Sequence, residues 1–121
     1  MHALVHIIAR NKEDLTPEKI EEIMNPYYEG NIGTYDEKND VFIEPDVYPQ
    51  FSYDYYRIVE DRFGSKPEDC FVIIDPEGFV LSRRWWNGKD WIDQTEKFLE
   101  FVKANHKKWV GLFMCELDIH W

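Results

Sequence analysis

Cysteine is scarce in this chain: Cys70 and Cys115 are the only two in 121 residues. Both lie in apolar runs, Cys70-Phe-Val-Ile-Ile and Leu112-Phe-Met-Cys115, where free cysteine serves as a small core residue. They read as buried thiols of a reducing compartment, not as a disulfide. Long hydrophobic runs are missing too, since no segment approaches the roughly 18 apolar residues of a membrane helix. The start, Met1-His-Ala-Leu-Val-His6, has neither the basic region nor the long apolar stretch of a secretion signal. These readings place the chain in the cytoplasm, away from membranes. Positive charge is also short: 14 Lys and Arg face 24 Asp and Glu, a net charge of −10 that disfavours direct contact with nucleic acid or anionic lipid. Nucleophile elbows, phosphate loops, dinucleotide fingerprints and the His-Glu-x-x-His and Cys-x-x-Cys spacings are all missing, so no sequence motif argues for catalysis or requires a cofactor.

What is present is apolar and aromatic. Hydrophobic residues make up 44% and aromatics 17%, enough for a chain of this length to bury a core as one domain, 1–121. Charge is unevenly distributed: residues 1–61 hold 14 acids and 5 bases, residues 62–121 hold 10 and 9, so one surface should be acidic and the other nearly neutral.

Ala3-Leu-Val-His-Ile-Ile-Ala9 reads as a buried strand. Thr16-Pro17 supplies an N-cap and a first helical proline for a helix carrying Ile20, Ile23, Met24 and Tyr27. Residues 29–50 hold two glycines, two prolines and six acids against Lys38 alone, and read as an acidic, mostly irregular loop in which only Val41-Phe42-Ile43 favours a strand. Ser52 is positioned to cap a helix over 52–63 with Gly64 as its stop, although Tyr53, Tyr55 and Arg57 also alternate as in a strand. Two strands, 71–74 and 79–86, flank the turn Asp75-Pro-Glu-Gly78. Asp90 reads as the cap of a last helix bearing Trp91, Thr95, Phe98, Leu99 and Val102 and ending in His106-Lys-Lys108, and 109–121 as a closing strand. The pattern predicts an α+β fold: a single antiparallel sheet of about four strands with the helices on one face, a ferredoxin-like βαββαβ variant. The first and last strands should lie side by side, antiparallel, near the centre of the sheet.

Three constellations carry chemical interest. If the terminal strands pair through their polar faces, His2, His6, Glu116, Asp118 and His120 gather, a set able to bind a divalent metal or to supply an acid and a base. The competing reading is the solvated face of a one-sided sheet. Arg83, Arg84, Trp85 and Trp86 could hold a phosphate and stack a base, but alternation must turn one Arg/Trp set away. Finally, the acids Glu29, Asp36, Glu37, Asp40, Glu44, Asp46 and Asp54, with Tyr35 and Tyr48 among them, make a surface suited to a basic protein partner. A homo-oligomer is the other association left open.

The opening strand with His6, the Met24-Asn-Pro-Tyr-Tyr-Glu29 helix end, the Tyr53-Asp-Tyr-Tyr56 block, the Asp75-Pro-Glu-Gly78 turn and the closing Leu117-Asp-Ile-His120 together resemble a group of small bacteriophage and prophage proteins. Where that group continues the aromatic block into a glycine pair and Arg-Trp, this chain has Val59-Glu-Asp-Arg-Phe63. The resemblance carries no activity across, but it implies a context: action in a host cytoplasm as an inhibitor or modulator of a host protein. Combined with the charge, it leads to the expectation of an acidic protein that occludes a basic host surface, for example an anti-CRISPR-like inhibitor of a nucleic-acid-binding defence system. The alternative expectation is a metal-dependent small enzyme, or a nucleotide-binding protein, built on the terminal-strand cluster.

Overall fold

A computed structural model of the protein describes residues 1–59 and 66–121. Among these, the strands and helices follow the order β1 (His2–Ala9), α1 (Pro17–Met24), β2 (Thr34–Asp36), β3 (Val41–Ile43), β4 (Tyr55–Val59), β5 (Val72–Ile74), β6 (Val80–Ser82), β7 (Arg84–Trp86), β8 (Trp91–Asp93), α2 (Thr95–Trp109) and β9 (Phe113–His120). Five strands form the main sheet in the order β4-β9-β1-β5-β6, and β2-β3 and β7-β8 form two separate ribbons.

The terminal strands pair antiparallel through the whole length of β1, from His2 opposite His120 to Ala9 opposite Phe113. The α+β class and the β5-β6 hairpin stand, but the single antiparallel, ferredoxin-like sheet with helices on one face is overturned. The sheet has five strands and is mixed, because β1 and β5 run parallel. A ferredoxin-like order would set the second strand of the β5-β6 hairpin beside β1, but its first strand lies there. The helices also cover opposite faces. On one side Val5, Ile7, Val72, Ile74, Leu117 and Ile119 pack with Ile20 and Met24 of α1 and with Phe51 and Tyr53. On the other, Ile8, Ile73 and Leu81 pack with Phe98, Val102 and Trp109 of α2. The physical reason lies in the strands themselves. Residues 5–9 of β1 and all of β5 are buried, as central strands covered on both faces must be, and a one-sided sheet would have needed apolar and polar residues in alternation.

Local chemistry explains most element ends. The Thr16 hydroxyl accepts the Lys19 amide at the start of α1, with Pro17 behind it. In the β5-β6 turn, Asp75 Oδ1 accepts the Glu77 and Phe79 amides while Gly78 takes the left-handed conformation, as the Asp-Pro-Glu-Gly sequence anticipates. Helix α2 begins later than expected: Asp93 Oδ1 accepts from the Thr95 amide and hydroxyl, and Trp91 belongs to β8. The helix expected over 52–63 is a strand as far as Val59, paired with β9, and its remaining residues lie outside those described. Within 29–50 the β2-β3 hairpin replaces part of the expected irregular loop. Both cysteines are free; burial pushes the Cys70 thiol up to about 12 and raises that of Cys115. No helix among the described residues is long and apolar enough to cross a membrane.

Candidate functional site

The terminal-strand set does assemble on one face, because His2, His6, Glu116, Asp118 and His120 are paired in register across β1 and β9. It divides into pairs, however. His6 is fully buried, with Nδ1 3.0 Å from the Pro67 carbonyl and Nε2 2.9 Å from Glu116 Oε2. A carbonyl only accepts, so Nδ1 carries a proton, and the contact to Glu116 must hold one more proton between nitrogen and oxygen. His2 Nδ1 lies 3.0 Å from Asp118 Oδ1, and Arg57 Nε donates to Asp118 Oδ2 at 3.3 Å. His120 Nδ1 contacts both oxygens of Asp54, at 2.8 and 3.0 Å, and the His120 ring stacks on Tyr55 at 4.8 Å. The His120 contact is the main reason the Asp54 carboxyl is held below the usual carboxylate range.

Both ring nitrogens of His6 are engaged, and the carboxylates hold Nδ1 of His2 and of His120. Among the described residues, no group of three or more His, Cys, Asp or Glu is placed to hold a metal ion. Arg57 enters this face on β4, and Asp54 from the position just before that strand. The local pattern does not announce Arg57 here, and Asp54, expected on the acidic surface, pairs with His120 because this segment joins β9 as a strand and not as the expected helix.

The Arg/Trp motif separates as strand alternation requires. Arg83 turns towards α2, where Nε donates to the Cys70 carbonyl at 2.8 Å, Nη2 donates to the Glu68 carbonyl at 2.6 Å, and the guanidinium lies 4.6 Å from the centre of the Phe98 ring. Trp85 pairs with Ile92 across the β7-β8 ribbon. Arg84 and Trp86 instead line a cavity of about 490 Å³ on the α1 side of the sheet. Trp86 and Trp91 meet there at 5.7 Å, and Phe71 stacks with Trp121 at 6.1 Å. Phe42, Tyr48 and Phe51 complete the aromatic wall, and Glu29 and Arg84 are the charged residues on it.

Two features fix this wall. Gly88, at φ 101°, lies under the Tyr48 ring so closely that an added Cβ would meet Cε2 at 2.9 Å. The buried Ser82 hydroxyl is 2.9 Å from the Gln50 carbonyl, and the Gln94 side-chain amide donates to Gln50 Oε1 and to the Ser82 carbonyl, tying the 50-loop to β6 and to the start of α2. Sequence reading identified Arg84 and Trp86 but not Trp91, Phe71 or Trp121 as their companions. The alternating Arg84-x-Trp86 facing Trp91 across a short ribbon was the available signal.

The acidic residues cluster around the β2-β3 hairpin. Asp36 Oδ1 accepts the Lys38 amide at 3.1 Å and Oδ2 accepts from the Asn39 side chain at 2.7 Å, contacts that lower the Asp36 pKa. Glu37 and Asp40 occupy the turn, and Glu44 and Asp46 follow β3; all four are exposed. Between them Tyr35 and Phe42 form a cross-strand pair, 55% and 52% exposed, beside equally open Val41 and Ile43. Glu29 and Tyr48, assigned from sequence to this same surface, stand on the cavity wall. No protein-family model, curated protein or solved structure matches the chain.

Proposed function

We propose that the protein binds and masks a basic surface of another protein through the β2-β3 hairpin and the acids around it. The observation that carries this reading is the hairpin itself, with half-exposed Tyr35, Val41, Phe42 and Ile43 flanked by Asp36, Glu37, Asp40, Glu44 and Asp46. Exposed aromatics supply contact area at low entropic cost, and a ring of carboxylates steers and selects a cationic partner. Hydrophobic residues this open on a small ribbon gain most from being covered. The resemblance to phage-encoded proteins supports a host partner, and a row of carboxylates mimics the phosphates that a nucleic-acid-binding surface is built to hold. The occluded partner is therefore a nucleic-acid-binding host protein of a defence system.

The test is capture from bacterial host lysate by the wild-type protein and by a variant with Asp36, Glu37, Asp40, Glu44 and Asp46 replaced by the corresponding amides. The wild type should retain a basic nucleic-acid-binding protein, release it as salt rises and compete with nucleic acid for it, whereas the neutralised form should lose it. Retention of the same partner by the neutralised form at equal salt, or a partner without a basic surface, overturns the proposal.

A further inference from the structure

The cavity beside the β7-β8 ribbon shares Phe42 with that surface but is built mainly from other residues, and it has the character of a small-molecule site. Its volume of about 490 Å³ falls inside the range typical of ligand pockets, about 300 to 1,000 Å³. Its walls are flat rings, which select flat rings by offset and edge contacts. The Arg84 guanidinium is held 5.1 Å from the Trp91 ring centre and 5.9 Å from that of Phe71, yet makes no hydrogen bond or ion pair among the described residues. Asp93, opposite it in β8, feels its charge, but Asp93 Oδ1 is committed to Thr95. An oriented guanidinium fork among aromatic rings is a receptor for a planar anion. The overall charge of −10 and Glu29 on the wall oppose a dianion by like-charge repulsion, whereas a single carboxylate neutralises Arg84.

We propose that this cavity binds a flat aromatic carboxylate, its ring among Trp86, Trp91 and Trp121 and its carboxylate on Arg84. The Gly88–Tyr48 contact and the Ser82–Gln50–Gln94 bonds fix the Tyr48 and Gln50 side of the wall, which lowers the ordering cost there.

The experiment titrates isotope-labelled protein with three probes, indole-3-acetate, tryptamine and AMP, following the indole N–H resonances of the five tryptophans and the melting temperature. Indole-3-acetate should shift Trp86, Trp91 and Trp121 saturably, leave Trp109 in the α2 core unmoved, and raise the melting temperature by mass action. Tryptamine, which shares the ring but not the anion, and the dianion AMP should bind about tenfold more weakly or worse, the scale of one charge-assisted hydrogen bond. Arg84→Met should remove the preference for indole-3-acetate over tryptamine without moving the unliganded melting temperature; Arg84→Lys, which keeps the charge but loses the fork, should retain part of it. Four outcomes overturn the proposal: no saturable shift at the three cavity indoles, tryptamine binding as tightly as indole-3-acetate, AMP binding more tightly than either, or an Arg84→Met variant with unchanged preference.

Discussion

Gly33 stands at φ 75°, and a Cβ there would meet the Phe42 ring at 2.4 Å and the Ile43 carbonyl at 2.7 Å. The ring can move; the backbone oxygen cannot without opening the β2-β3 ladder. Gly33→Ala should therefore fray the hairpin at a local cost of roughly 1 to 3 kcal/mol, read as lost amide-exchange protection over 41–43, while the global melting temperature hardly moves. Asp54 supports a pH prediction. Its contact with His120 lowers its pKa in the folded state, so the stability it contributes is present above the unfolded value and is lost as pH falls through the folded one. Asp54→Asn should flatten the acid side of the stability profile below about pH 4, measured by urea melts at stepped pH. Both residues were readable as types but not in role. Nothing near Asp54 in the chain announces His120, which lies 66 positions away.

The strands β4 and β9 show how one element decides another. Over 52–63 the cap at Ser52 and the spacing of Tyr55, Ile58 and Val59 favour a helix, against strand spacing through Tyr53, Tyr55 and Arg57. Pairing with β9, from Tyr55 opposite His120 to Val59 opposite Glu116, settles it in favour of the strand. That places β9 between β4 and β1, with Leu117 and Ile119 fully buried. A chain ending at Lys108 should accordingly lose its cooperative melt and dispersed amide spectrum, because β1 and β4 both lose their neighbour and net stabilities are only about 5 to 15 kcal/mol. A folded truncated chain would show that β9 is an appendage. The turns of α1 and β5-β6 were legible because Thr16-Pro17 and Asp75-Pro-Glu-Gly78 act through bonds within a few residues. The β7-β8 ribbon was not, since its partner choice depends on where the main sheet stops at Ser82.

Across the whole molecule, two apolar clusters share one sheet, and their cooperativity is testable. Ile20→Ala on the α1 face should cost about 2 to 5 kcal/mol and Phe98→Ala on the α2 face about 3 to 5, both residues being almost wholly buried. Each should shift the same single transition, seen alike by circular dichroism and tryptophan fluorescence; separate transitions for the two variants would mean that the faces unfold independently. By itself, the sequence determined what is local or additive: an acidic, aromatic, α+β chain with two free thiols, the capped start of α1, the β5-β6 turn and the alternation that splits Arg83 from Arg84. It also contained, in the apolar residues on both sides of His6 in β1, a sign of two-sided burial that outweighs the alternation inferred from its histidines. Only the tertiary structure decided strand order, the opposite placement of the helices, the pairing of His120 with Asp54 and the meeting of Trp86, Trp91, Phe71 and Trp121 around one cavity. Each of these joins residues far apart in the chain, and what selects among the available pairings is burial of apolar surface by the whole sheet, a quantity that no short window of sequence contains.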